Sequence, residues 1–360
     1  MNRRFLLAQQ ATGIVTAFVL LVSLLVLAGG RVGAGEAAGV VALQKIWDQA
    51  PHNAFTDLIR YQDRWLCTFR EGEGHASFDG RLRVLHSADG ATWESAALLS
   101  LTPGEFAAMK PAVAPDGSPI DLRDPHLCIT PDGRLMLNSA VAYHGRRDMQ
   151  SLAWFSQDGT TWSKPVLIAE HQYWLWRPTW HKGVAYGVGR IASQRIPRLY
   201  RSHDGRHFEV VVKEGEFFPD GPGGSEATLR FLADDTALCL LRMTKMPGGK
   251  TGDAQLGIAR PSYTRWEWKD LGAQIGGPNM IQLPDGRFVA AVRLYDRQVR
   301  TPLCWLDPQA GKLTEFLTLP SGGDTSYAGL VLHDGLLWVS YYSSHEGKTS
   351  IYLAKVQIPA

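Results

Sequence analysis

Helical periodicity is what this sequence has least of. Past residue 50 almost no segment repeats at the helical spacing. Seven Met in 360 residues, and few long Glu/Lys/Leu/Ala stretches, exclude a helical bundle. Excess charge of one sign is missing too. With 37 Lys+Arg against 35 Asp+Glu, the chain lacks the basic surplus that displaces counterions from nucleic acid. Cysteine is sparse: Cys67, Cys128, Cys239 and Cys304 are far apart, form no CxxC pair and imply no zinc site. Each lies in an apolar, strand-like stretch, so they read as buried thiols, although an exported chain could pair two of them. The eleven His show no H-x-H or HExxH spacing, and no GxGxxG, P-loop or GxSxG stands between a strand and a helix. No metal and no cofactor are therefore expected. A hydrophobic fraction of 45% excludes disorder.

What is plentiful is turn chemistry and aromatic mass: 37 Gly, 20 Pro and 12 Trp. The first residues differ in kind from the rest. Arg3 and Arg4 precede a run from Gly13 to Gly30 that is apolar apart from Thr16 and Ser23, and Val32-Gly33-Ala34 offers small residues for cleavage. Residues 1–34 thus read as a signal peptide for export to the periplasm or beyond, with an uncleaved anchor as the alternative. Cutting after Ala34 would leave a mature chain of net charge −1. Residues 35–52 read as a linker.

From residue 53 one unit recurs: an apolar strand, a tight polar turn, a second apolar strand, then a loop to a third strand and another turn. The first turns are Gln62-Asp63-Arg64, Pro131-Asp132-Gly133, His181-Lys182-Gly183, Ala233-Asp234-Asp235, Pro284-Asp285-Gly286 and His333-Asp334-Gly335. Most carry the Asp-Gly chemistry that suits hairpins. Their spacing of about 49 to 69 residues fits four-stranded propeller blades. A second register follows the third strand: Ser87-x-Asp89-Gly-x-x-Trp93, Ser156-x-Asp158-Gly-x-x-Trp162 and Ser202-x-Asp204-Gly-x-x-Phe208. A fourth copy, near Tyr263-Thr264-Arg265-Trp266, is degraded.

These turns resemble the Asp-box, or BNR, repeats of the sialidase superfamily, in a form one residue shorter than usual. The resemblance implies an all-β, six-bladed propeller over 53–360, with four antiparallel strands per blade.

Aligning the repeats puts Asp57, Asp124, Arg177, Glu226, Asn279 and Tyr327 at the openings of the first strands. Arg190, Arg242, Arg293 and Tyr342 fall at the ends of the second, with Arg70 close to that point in blade one. Polar residues stand out in such apolar strands. A ring of Arg with carboxylates suits an anionic polyhydroxyl ligand, because guanidinium forks onto carboxylate; the alternative is that each Arg caps a strand end and pairs with a neighbouring Asp. Asp121-Leu-Arg123-Asp124 can be a loop-holding ion pair or a ligand contact. In His171-Gln-Tyr173-Trp174-Leu-Trp176-Arg177 a ring such as Trp176 can stack on a sugar or pack between blades.

Two segments carry a closer resemblance. Ser225-Glu226 through Arg242 is similar to the sialidase blade with a catalytic Glu and a substrate Arg; Gly323-Asp324-Thr-Ser326-Tyr327 is similar to the segment with the nucleophilic Tyr. The resemblance implies a Tyr327 nucleophile, Glu226 as its base, and Arg242 and Arg300 as anion clamps, with Arg293 as the fallback for Arg300. The acid/base falls near Asp79, with Glu71, Asp57 and His75 as alternatives. Blade one departs from the pattern: Asn53-Ala-Phe55-Thr56-Asp57 holds no Arg. The expectation is a monomeric, exported hydrolase of an acidic sugar or glycoconjugate, without nucleic acid and without membrane contact beyond an N-terminal anchor. The alternative is an Asp-box propeller that binds carbohydrate and does not cleave it.

Overall fold

The computed structural model describes residues 38–109, 119–143, 148–191, 194–213, 215–218, 223–244 and 252–359. The expected leader, 1–34, lies outside them. The first strand is β1 (Gly39–Trp47). Blade one is β2 (His52–Tyr61), β3 (Arg64–Gly72), β4 (Arg81–Ser87) and β5 (Glu94–Leu99). A short helix, α1 (Pro103–Ala108), capped by Thr102 and Glu105, leads to blade two: β6 (Asp121–Ile129), β7 (Leu135–Tyr143), β8 (Asp148–Ser156) and β9 (Val166–Ile168). Blade three is β10 (Tyr173–His181), β11 (Val184–Ile191), β12 (Pro197–Ser202) and β13 (Glu209–Val212). Blade four is β14 (Gly224–Phe231), β15 (Ala237–Met243), β16 (Gln255–Ala259) and β17 (Glu267–Asp270). Blade five is β18 (Ile275–Gln282), β19 (Phe288–Leu294), β20 (Thr301–Asp307) and β21 (Lys312–Leu319). Blade six has β22 (Thr325–His333), β23 (Leu336–Ser343) and β24 (Ser350–Gln357), with β1 as its outer strand.

The chain is thus an all-β, six-bladed propeller. The segment 35–52 is not a plain linker, because β1 pairs antiparallel with β24 along Gly39–Trp47 and closes the ring. Asn53 fastens the closure, its side-chain amide donating to the carbonyls of Ala50 (2.8 Å) and Thr349 (2.9 Å).

All six anticipated first turns join first to second strands. Three are two-residue turns with both φ angles positive: Gln62-Asp63 (49°, 59°), Lys182-Gly183 (47°, 81°) and Asp334-Gly335 (49°, 75°). That geometry matches the right-handed twist of the flanking strands. The S-x-D-G turns join third to fourth strands and share one bonding pattern. In blade two, Ser156 Oγ accepts from Gly159 N (2.9 Å), and Asp158 Oδ1 accepts from the amides of Thr160 (2.8 Å) and Thr161 (2.7 Å). Blades one and three repeat it at Ser87/Asp89 and Ser202/Asp204. Inner strands are buried along nearly their whole length, outer strands such as β5 and β17 only in part, because a propeller's inner strands have neighbours on every side. Six apolar clusters fill the spaces between adjacent blades. Cys67, Cys239 and Cys304 are buried in them as free thiols.

The tight turns lie at the end where inner strands finish. The opposite end, where they begin, is left to longer loops and carries the site. There each inner strand has a bulge: the register jumps at 54/57, 123/126, 176/179, 224/227, 276/279 and 326/329. A bulge inserts a residue and re-aims its side chain. In five blades the first bulged residue has positive φ: Phe55 (63°), Asp124 (51°), Arg177 (37°), Gly277 (53°) and Tyr327 (53°).

Candidate active site

The bulges bring Tyr327 and Glu226 together from blades six and four. Tyr327 donates its phenol proton to Glu226 Oε1 at 2.7 Å. Arg242, at the end of β15, donates to both oxygens of Glu226 (2.6 and 2.7 Å) and to the Tyr327 oxygen (3.0 Å). The amide of Gly277 donates to Glu226 Oε2 (2.8 Å). Only glycine serves at that position: φ is positive, and a Cβ would stand 2.5 Å from the Tyr327 ring. The phenol ring packs edge-on against Phe55 (5.1 Å) and Trp176 (6.0 Å), with the Arg293 guanidinium 5.2 Å from its centre.

This setting separates the two acids. Burial alone would raise Glu226, but Arg242, Tyr327 and the Gly277 amide hold it below the usual carboxylate range, so it is ionised. Burial, and then the Glu226 charge, push Tyr327 well above the ordinary phenol value. The resting pair is a neutral phenol on a carboxylate.

Around it the other cations are mostly neutralised. Arg293 donates to Tyr342 (2.6 Å), to the Thr325 carbonyl (2.7 Å) and to Asp324 Oδ1 (3.2 Å). Asp324 Oδ2 also meets His52 Nε2 (2.9 Å) and His75 Nδ1 (2.6 Å). Those three groups are spaced as metal ligands could be, but Arg293 already supplies Asp324 with a positive charge. Arg190 is the exception. Among the described residues it has no ion-pair partner; its Nε is buried without a hydrogen bond, and its guanidinium lies 4.6 Å from the centre of the Trp174 ring. Burial pushes it down to about 10.

Several expected site residues stand elsewhere. Arg300 does not join the mouth; it pairs with Asp296 (2.7 Å) and Glu315 (2.6 Å) in a crevice of about 490 Å³ beside blade five, and Arg293 occupies the mouth instead. Arg70 is fully buried and holds the loop after β3, donating to Asp121 Oδ1 (2.7 Å), the Gly74 carbonyl (2.9 Å) and Ser77 (3.0 Å). Gly80 admits this pair, since a Cβ there would fall 1.9 Å from Asp121 Oδ1. Arg123 adds a bond to Asp121 Oδ2 (2.9 Å) and one to the His75 carbonyl (2.9 Å). Asp79 is exposed and accepts from the Glu73 amide (3.0 Å). Asp57 and Asn279 lie two residues past the first bulged residues, Phe55 and Gly277. Asp57 takes Arg177 as a buried partner (2.7 Å), and with Arg230 all three line a cavity of about 300 Å³ together with residues of the strands' far halves. Trp176 is buried beneath Tyr327 rather than presented to a sugar.

No family model matches this chain, and no curated protein does. Solved structures do. A Dyadobacter fermentans protein of unknown function superposes with a TM-score of 0.70 at 17% identity, over 89% of this chain and 99% of that one. A Penicillium chrysogenum alpha-L-arabinanase complexed with arabinobiose gives 0.66 at 14%, over 88% and 98%. A Trypanosoma rangeli sialidase, held as a covalent intermediate with 2,3-difluorosialic acid, gives 0.60 at 13%, over 84% and 54%. This chain thus shares the six-bladed propeller fold with these solved structures. This chain spans about half of the trypanosomal enzyme's length.

Proposed function

We propose that this propeller is a glycoside hydrolase for an acidic sugar, with Tyr327 as nucleophile and Glu226 as its base. The hydrogen bond between Tyr327 and Glu226, with Arg242 on both, carries the reading. A phenol is a weak nucleophile at neutral pH. Glu226 can take its proton over 2.7 Å as the oxygen attacks the anomeric carbon, and Arg242 stabilises the charge that moves between them. A nucleophile that is neutral at rest does not repel an anionic substrate. Tyrosine nucleophiles are the sialidase exception among glycosidases. The glycosidases among the structural neighbours support the class of reaction, and the trypanosomal covalent intermediate supports a covalent route on this fold.

The acidic specificity rests on Arg190. Among the described residues it is a mouth cation with no counter-ion, and an unpaired charge in a partly buried place is costly until a ligand carboxylate meets it. Binding without cleavage is favoured by one observation, the Phe55 ring at the blade-one bulge where the sialidase pattern has Arg. Incubating residues 35–360 with 4-methylumbelliferyl sialoside and glucuronide, beside neutral glycosides, separates the two. Release from an acidic glycoside that Tyr327→Phe abolishes supports the hydrolase. Binding of the free sugar acids with no release from any substrate supports the binder.

A further inference from the structure

We propose that Asp124, on the inner strand of blade two, is the acid/base that protonates the leaving oxygen and later activates water; the assignment rests on the hydrolase reading above. Asp79, two residues from the position where the sialidase pattern places this role, is exposed and caps its own loop. Asp124 occupies the same bulge position on blade two that Tyr327 occupies on blade six, with the same left-handed backbone (φ 51° and 53°), while Glu226 comes from the bulge of blade four. Alternate blades therefore bring three functional groups to one axis. A left-handed conformation is strained for a non-glycine residue and persists where the surroundings demand it.

Asp124 is 2% exposed, and its Oδ2 has no hydrogen-bond partner. Among the described residues its nearest cation is Arg123, whose Nε lies 3.8 Å from that oxygen while its Nη1 donates to Asp121 Oδ2 and the His75 carbonyl. The charged and titratable groups that act on it are Arg123 and Asp121 on its own strand, Arg70 on blade one, Arg190 on blade three, Glu226 on blade four and Tyr327 on blade six. A buried carboxyl whose Oδ2 receives no hydrogen bond holds its proton to a higher pH than an exposed one. Burial first, and the Glu226 and Asp121 charges next, push Asp124 up to about 7. The mouth thus sets an ionised Glu226 against an Asp124 that is still partly protonated near neutral pH, which is how environment divides base from acid.

In the first step the Tyr327 oxygen bonds to the anomeric carbon, its proton passes to Glu226, the glycosidic C–O bond breaks, and Asp124 protonates the departing oxygen. In the second, water attacks the same carbon as its bond to the Tyr327 oxygen breaks; the water gives one proton to Asp124, and Glu226 returns to Tyr327 the proton it took in the first step.

The test compares leaving groups, using the 4-methylumbelliferyl and methyl glycosides of the acidic sugar that the wild type cleaves. Asp124→Asn is expected to lose about 10²–10⁴-fold in kcat/KM on the methyl glycoside, which needs the proton. On the aryl glycoside it should keep kcat/KM within roughly tenfold, which also shows that it folds. Its kcat there should fall and recover with azide, and the alkaline limb of the pH profile should vanish. Asp79→Asn should retain the wild-type ratio between the two substrates. Equal losses of Asp124→Asn on both substrates, or the leaving-group signature appearing in Asp79→Asn instead, would overturn the assignment while the hydrolase reading stands. A wild type that releases nothing from the panel, or a Tyr327→Phe variant that turns over normally, would overturn the hydrolase reading and this role with it.

Discussion

Tyr327 stands on a glycine. Because the ring sits where a Gly277 side chain would be, and the Gly277 amide fixes Glu226, the pair depends on a residue that does no chemistry. Gly277→Ala is expected to push the phenol off its carboxylate and lower kcat/KM at least 100-fold, with a stability loss of roughly 1–3 kcal/mol from the strained φ; steady-state kinetics and thermal melting check both. Asp124 gives a second expectation. Its carboxyl titrates near 7 when folded and at the ordinary 3.8 when unfolded. The stability it confers is therefore full below pH 4 and is lost as pH rises through 7. Asp124→Asn should gain on the wild type as pH rises, by on the order of 1 kcal/mol or more at pH 8, with the difference shrinking toward pH 4 in denaturant titrations. Residue types at the mouth were legible: Tyr327, Glu226, Arg242 and Arg293 stand out because polar groups interrupt apolar strands. Counting from turns misplaced Asp57 and Asn279, because a bulge leaves no mark in the sequence. Nor does sequence show which Arg is neutralised, which separates Arg190 from Arg70 and Arg300, or that His52, His75 and Asp324 converge from distant segments.

Among the elements, the hairpins and S-x-D-G turns were the plainest signals, since their chemistry is local. A Gly after an Asp answers to its own backbone angles, whatever packs around it. These turns lie at the end opposite the site, so they should act on stability alone. Ser156→Ala, which removes the acceptor for the Gly159 amide, should cost about 1 kcal/mol and leave KM and kcat unchanged. A drop in turnover would mean that the turn reaches the mouth. β1 escaped notice because it has no turn of its own; its partner is at the other end of the chain, and much of it is exposed.

At the scale of the whole molecule, a ring is as stable as its closure. Removing residues 39–47 would expose the edge of β24 and unfasten blade six, which carries Tyr327. That deletion is expected to lower the melting temperature, raise proteolysis of blade six and abolish turnover together; a shortened chain with full activity would show that the ring closes without β1. The six-fold repeat was readable because each blade restates one strand-and-turn grammar, whereas the mouth is written once, from residues contributed by different blades. On the proposed mechanism this mouth forms a covalent bond with its substrate through Tyr327. Treating the wild type with 2,3-difluorosialic acid and with 2-deoxy-2-fluoroglucuronyl fluoride, then mapping the adduct by peptide mass spectrometry, tests it directly. One sugar-sized adduct is expected on the peptide containing Tyr327, absent in Tyr327→Phe. An adduct on Glu226 or Asp124, or turnover of an acidic glycoside with no adduct on Tyr327, would contradict it.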